Sequence, residues 1–463
     1  MWNLTKPALR LLLIFALLAS AAHAEAASVT TYRGKFSDGS KYLIQVPSNW
    51  NGTLVLYSHG YVVPGSSNPA EDIGDPITGG YLLSNGYALA GSSYATTGWA
   101  VQQALPDQVK VLDKFQSLVG TPKRTIAWGH SLGGMITAGL AQRYPQRFDA
   151  ALPMCGVVAG SVGVWNQALD SAFAFYQLLA KGSGLQLVNI TDPLANVTKA
   201  EKILSKAQTT LQGRARIALA AALDDVPGWF DPLSKEPACG DYTAWEKNQY
   251  QWLAQDDFPF AFYLRAELEG RAGGNPSWND GVHYEKELEA SADYAEVEAL
   301  YQKAGLSLQR DLDSLEHAKR IKARQSAVNY LKQNIIYDGD ITIPVLTMHT
   351  KGDGLAVVEN ESAYEDVVHD AGKGNLLREL FVHRAGHCEF SPAEMIVAFE
   401  ALTCRLDKGS WPDLGSSDLN DSAKDLGAHY NVLLANGKKV HVNPAYFKFK
   451  PAPFLRPYDK GKH

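Results

Sequence analysis

Three residues, met in the order Ser131, Asp353, His387, have the types needed for nucleophilic acyl chemistry. A serine hydroxyl is a poor nucleophile until a neighbouring base takes its proton. That base is most useful when a carboxylate fixes its tautomer. Ser131 lies at the centre of Gly129-His130-Ser131-Leu132-Gly133, followed by Gly134. A G-x-S-x-G pentapeptide alone is a weak signal. Here it follows the strand-like RTIAW and precedes a helix-like run over Gly134–Tyr144. Such a turn requires small residues two before and two after the serine, so that strand and helix can approach. Leu132, opening the helix, would offer its backbone N–H to a developing oxyanion.

The acid and base are read from the same kind of placement. Asp353 follows the strand-like IPVLTMH (Ile343–His349) within Thr350-Lys351-Gly352-Asp353-Gly354. Asp338 and Asp340 precede that strand, on the wrong end, and Asp366 falls on the next helix. His387, in HRAGHCEFSPAE, occupies a short glycine-containing loop between a strand and a helix. His383 is its rival but falls on or just past the strand. The second oxyanion donor is expected after GTLVLYS, where His59-Gly60-Tyr61 fits. The Tyr61 N–H is the expected donor and the Gly60 N–H the alternative. His59 would brace the loop, and His130 and His349 read as packing or hydrogen-bonding residues.

The elements that position these residues read as an α/β chain. Val29–Phe36 and Tyr42–Val46 flank Ser37-Asp38-Gly39-Ser40, which reads as a hairpin. Gly52–His59, Tyr87–Gly91, Arg124–Trp128 and Ala150–Cys155 are compact apolar runs, as in strands covered on both faces. Helical spacing appears over Leu105–Val119. From about Gly160 to Asn334 the strand rhythm gives way to helix-like sequence, with five of the ten tryptophans. Most aromatic residues there fit a subdomain core, and a few could face a substrate. The sheet resumes at Ile343–His349, followed by a helix near Asn360–Ala371 and a strand at Leu376–His383. Ser391-Pro392-Ala393-Glu394 reads as N-cap, N1 proline and capping-box glutamate. The expected organisation is therefore a leader over 1–24, core over 25–159, mainly helical cap over 160–334, core over 335–407, and a C-terminal extension over 408–463 packed on the core. That extension begins as a Gly/Asp/Ser-rich loop and ends in a stretch, Pro444–Tyr458, with four prolines.

At 463 residues, 46% apolar and 20% charged, the composition is that of a globular chain. Lys6 and Arg10 precede the apolar run Leu11–Leu18, and Ala22-His23-Ala24 offers a cleavage site, so residues 1–24 read as a secretory signal peptide. A membrane anchor is the alternative, though the run falls short of the roughly 20 residues of a bilayer span. A secreted or periplasmic destination follows. The formal charge of −6 lacks any basic stripe, which disfavours nucleic acid as a partner. Export would open Cys155, Cys239, Cys388 and Cys404 to oxidation. Cys388 and Cys404 would lie at opposite ends of a rod roughly 18 Å long, whereas a disulfide holds Cα atoms within about 7 Å. Pairing of Cys155 or Cys239 with one of them, or free thiols, stays open. No CxxC spacing or phosphate-binding glycine loop calls for a metal or organic cofactor.

SHG, GHSLGG, the TKGD loop and the GHC loop together resemble the α/β-hydrolase superfamily, over roughly residues 29–157 and 335–406. The resemblance is to secreted bacterial serine esterase or peptidase-like members with a helical cap. It implies a mostly parallel central sheet and an acyl-enzyme mechanism with Ser131, His387 and Asp353. The extended HGGG form of some lipase relatives is absent. Carboxylic-ester hydrolysis is the expected activity, on a small or polymeric ester for which an aromatic or apolar group would fit. A secreted aminopeptidase or oligopeptidase is the alternative, for which Glu267 and Glu269 could hold a substrate amine. A non-catalytic binding protein on this scaffold is a third reading.

Overall fold

The computed structural model describes residues 28–435 and 438–458, so the leader expected over 1–24 lies outside the described residues. Eight strands make up the core, with helices between them from β3 onward: β1 (Val29–Lys35), β2 (Lys41–Pro47), β3 (Thr53–Ser58), β4 (Ala88–Ser92), β5 (Arg124–His130), β6 (Ala150–Met154), β7 (Val345–Gly352) and β8 (Leu377–Ala385). Beyond them come a hairpin, β9 (Val432–Ala435) and β10 (Lys438–His441), and the two-residue β11 (Tyr446–Phe447). Nine strands form one sheet in the order β1-β2-β4-β3-β5-β6-β7-β8-β11. The run from β4 through β8 is parallel, and β1, β2 and β11 join antiparallel at the edges.

The parallel strands are apolar because both faces are covered. Every residue of β3, β4 and β6 is buried. One face packs on Val101–Leu118 and Leu132–Arg143, the other on Pro392–Lys408. The helix Pro392–Lys408 starts as its sequence indicates. Ser391 Oγ accepts from Glu394 N, the Glu394 carboxylate accepts from Ser391 N, and Pro392 sits at the first turn.

Between β6 and β7 the described chain is helical, beginning with Gly160–Phe175 and ending with Gln325–Gln333. This insertion has a hydrophobic core of its own, built from Phe173, Phe175, Phe258, Phe262 and the alanine-rich helix Leu211–Ala222. Its helices depart from regular geometry at three π-helical turns, Tyr176–Ala180, Leu253–Asp257 and Phe260–Leu264.

Several elements differ from the sequence reading. The helix Pro76–Ser84, capped by Asp75 through the N–H groups of Ile77 and Thr78, lies in a stretch to which no element was assigned. Strand β7 continues past His349 to Gly352 because its partner β8 continues too, with Gly352 opposite Ala385. The Gly/Asp/Ser-rich segment holds a helix, Ser416–Asp425, whose Leu419 and Ala423 are buried against Pro392–Lys408. Two apolar positions in a polar run are too few to show a helical period.

Candidate active site

The parallel register fixes where the loops go. Ser58 pairs with Gly129, His130 with Met154, Met154 with Met348, and Gly352 with Ala385. The C-terminal ends of β3, β5, β6, β7 and β8 therefore form one edge, and the residues that follow them share it. Gly60, Ser131, Asp353 and His387 all follow those ends.

Ser131 turns the chain from β5 into Leu132–Arg143 with φ 59° and ψ −125°, a left-handed backbone that non-glycine residues rarely adopt. Its N–H donates to Met154 O at 3.0 Å, tying the turn to β6. Gly133 permits the turn, since a Cβ there would lie 1.9 Å from Ser58 O. Leu132, first in the helix, has an N–H without an intrahelical acceptor. Gly60 comes against the same serine, and a Cβ on it would stand 3.8 Å from Ser131 Oγ. His59 stacks on Tyr94 at 4.0 Å, and its Nδ1 contacts Gly60 O at 2.8 Å. Burial lowers its pKa, as suits a bracing rather than a proton-carrying ring.

Asp353 is fully buried directly after β7. His387 Nδ1 lies 2.8 Å from its Oδ2 and 3.0 Å from Oδ1. Oδ1 also accepts from the N–H groups of Leu355 and Ala356, at 3.0 and 2.9 Å. Burial pushes the carboxyl pKa up, but His387 and His349 outweigh it and hold the group down at about 2. The carboxylate thus fixes a proton on Nδ1 and leaves Nε2 as the basic nitrogen. That Nε2 contacts Cys388 Sγ at 3.5 Å.

A second buried histidine stands behind the acid, and the sequence reading gave it only a packing or hydrogen-bonding role. His349 Nδ1 lies 2.8 Å from Glu361 Oε1, and its Nε2 lies 2.6 Å from Ala356 O and 3.5 Å from Asp353 Oδ2. Both ring nitrogens face acceptors, an arrangement that favours the doubly protonated ring. Burial opposes the charge, yet Asp353 and Glu361 raise its pKa to about 10. His383 instead bonds Glu236 Oε2 at 2.7 Å, away from Asp353. Burial and the nearby His387 lower the pKa of His130 to about 4.

The histidine loop is tied at several points. Gly386 N donates to Gly352 O at 2.9 Å, and Thr350 Oγ1 to Gly386 O at 2.7 Å. Arg384 makes a two-pronged pair with the buried Glu394 at 2.7 and 2.9 Å and donates to Glu389 O. A disulfide joins Cys388 to Cys155, with Cα atoms 5.3 Å apart, so the residue after His387 is bonded to the residue after β6. Cys239 and Cys404 are free. The exclusion of a Cys388–Cys404 bridge holds.

Ser131, Leu132, Gly60, Tyr61 and His387 line one cavity of about 400 Å³. Its wall is mostly apolar, with Trp99, Trp165, Phe260, Leu264, Val157 and Val357. The C-terminal segment reaches it too, since Phe454 lines it and Arg456 pairs with Asp170 of the cap. Most cap aromatics form core, as expected, and Trp165 and Phe260 are those that turn toward the cavity. Glu267 and Glu269 do not line it. Glu267 pairs with Arg271 and accepts from Trp99 N, while Glu269 accepts from the N–H groups of Asn189 and Ile190. Two other carboxyls, Asp224 and Asp257, do line the cavity, and nothing in their local sequence marks them.

A family model described as the α/β-hydrolase fold matches residues 66–182, which include Ser131. An o-phthalyl amidase from Xanthobacter agilis is 30% identical over 440 residues, covering 88% of this chain and 94% of the amidase. The chain belongs to the α/β-hydrolase family. Among solved structures, this hydrolase is similar to an esterase from Aspergillus oryzae (15% identity, 83% of this chain and 80% of that one, TM-score 0.40). It is also similar to a rice cell wall degrading esterase from Xanthomonas oryzae (13% identity, 82% and 89% of the two chains, TM-score 0.37). Among the described residues of the hydrolase, no cluster of His, Cys, Asp or Glu is placed to hold a metal ion. No described helix is long and apolar enough to cross a membrane.

Proposed function

We propose that this α/β hydrolase is an exported serine hydrolase that cleaves carboxylic esters through an acyl-enzyme. One observation carries the reading: Ser131 and His387 line one apolar cavity while a buried carboxylate sits on the other nitrogen of His387. In this mechanism His387 Nε2 takes the Ser131 proton as Oγ attacks the substrate carbonyl. The tetrahedral oxyanion is held by the Leu132 N–H and by the N–H of Tyr61, with Gly60 as the alternative donor. His387 then protonates the leaving alcohol, and the same ring activates the water that hydrolyses the acyl-serine. Asp353 stays ionised throughout and stabilises the imidazolium. The Cys155–Cys388 disulfide suits the oxidising compartment that the leader over 1–24 implies.

Amide cleavage is the second reading, favoured by the amidase relative at 30% identity over most of both chains. An aromatic acyl group suits a wall containing Trp99, Trp165 and Phe260. Ester turnover is expected under either reading, because an alkoxide or phenolate leaves more readily than an amine. The test is a fluorophosphonate label followed by peptide mapping, with p-nitrophenyl esters and an o-phthalyl amide as substrates. The label should land on Ser131, and folded protein that stays unlabelled would refute the assignment. Amide turnover well above ester turnover would give the second reading precedence.

A further inference from the structure

The catalytic cavity holds more unmatched polarity than acyl transfer needs. Asp224, just beyond the helix Leu211–Ala222, and Asp257, the last residue of a π-helical turn, both line it. Neither forms an ion pair among the described residues, and Asp257 Oδ2 is buried without a hydrogen-bond partner. Gln167, only 1% exposed, lines the same cavity. Its Nε2 donates to Asp225 Oδ2 at 3.2 Å, and its Oε1 is buried without a partner. Two other buried acids of the cap do have cations: Asp170 has Arg456 and the Tyr284 hydroxyl, and Asp311 has Arg216 and the Tyr301 hydroxyl.

The nearest buried cation does not repair the deficit. Arg265 donates from Nη1 to Ser277 Oγ and from Nη2 to Trp165 O, stacks on the Trp165 ring at 5.1 Å, and stays outside the cavity lining. A pair of carboxyls against an apolar wall is costly unless a cation or proton joins them. Burial first, and then neighbouring acids, pushes both carboxyls well above the ordinary range, and Arg265 and Gln167 offset this only in part at Asp224. A ligand ammonium would supply the missing positive charge.

Resting on the acyl-transfer reading of Ser131, we propose that Asp224, Asp257 and the Gln167 carboxamide form a cation subsite, and that the substrate is an ester or amide bearing a protonated amine. The apolar wall holds the hydrocarbon part of the substrate, and the acids select the charged end. This subsite takes the place of Glu267 and Glu269, which the fold uses elsewhere.

The experiment has two arms. In the first, the rate of fluorophosphonate labelling at Ser131 is measured with phenethylamine, 2-phenylethanol or phenylacetate as competitor. Phenethylamine should protect at concentrations about tenfold lower than 2-phenylethanol, and this arm is blind to which side of the scissile bond carries the amine. In the second arm, the p-nitrophenyl esters of phenylalanine and of 3-phenylpropionate are compared. Wild type should favour the amine-bearing ester about tenfold or more in kcat/KM, chiefly through KM. In D224N/D257N the ratio of the two should collapse toward one, and labelling at Ser131 reports that the variant has folded. D257N alone should lower the same ratio. Equal protection by amine and alcohol, better protection by phenylacetate, or a ratio unchanged in the variants would overturn the cation subsite while leaving the nucleophile intact. Absence of label in folded wild type would instead remove the acyl-transfer reading on which it rests.

Discussion

The cavity has two sides that were built differently. On the sheet side, Asp353 accepts from two backbone N–H groups and lies against His387, the histidine loop is bonded to β7, and the loop's next residue is covalently tied to β6. On the cap side, Asp257 Oδ2, Gln167 Oε1 and the Trp165 indole nitrogen are buried without partners. The sheet side thus holds its acid and its histidine loop in place through hydrogen bonds and a disulfide. The cap side leaves polar groups beside the cavity without a protein partner. The difference separates chemistry from selection. Damage to the sheet side should slow every substrate alike, whereas damage to the cap side should change the ranking of substrates.

The largest expected effect is that of S131A, which should lower kcat by roughly 10⁴- to 10⁶-fold for esters and amides alike. A loss confined to one substrate class would blur the division between the two sides. Next is the disulfide. C155A/C388A, or reduction of the folded protein, should cost about 2–4 kcal/mol of stability by denaturant titration. The kcat should fall across all substrates, because His387 loses its covalent neighbour. Unchanged kcat with lowered stability would show that the hydrogen bonds to β7 suffice to place the ring.

The smallest effect should come from H349Q, which acts only through Asp353, and its signature is in pH. His349 has its pKa raised from near 6.5 to about 10, so its charge contributes stability that is full below 6.5 and lost as pH rises toward 10. Asp353 has its pKa lowered from near 3.8 to about 2, so its contribution is present above 3.8 and lost as pH falls toward 2. The Tm of wild type should therefore decline between pH 7 and 10 more steeply than that of H349Q. Removing the cation should also raise the Asp353 pKa and move acid inactivation to higher pH. Identical Tm profiles for the two proteins would show that His349 is neutral.

Much of the sheet side was legible in the sequence because its signals are local. G-x-S-x-G between an apolar run and a helix, an aspartate after a strand, and a histidine before Ser391-Pro392-Ala393-Glu394 each follow from backbone requirements that span a few residues. Strand order could not be read, yet it was not needed to choose the residues. The cap side was opaque for the opposite reason. Glu267 and Glu269 look like an acidic pair in sequence, but Arg271 and three backbone N–H groups claim them in the fold. Asp224 and Asp257 look like ordinary helix-end acids, and only the packing of two distant segments brings both to one cavity.

The sequence by itself determined the α/β architecture, the helical insertion after the strand that follows the nucleophile turn, and the three residues proposed to carry the reaction. Periodicity, turns and caps encode these within a few residues of each position. Tertiary structure alone decided that Cys155 meets Cys388, that β11 closes the sheet, and that Phe454 reaches the cavity. Each depends on contacts between segments far apart in the chain, where the energy lies in burial and pairing rather than in any local preference of the backbone.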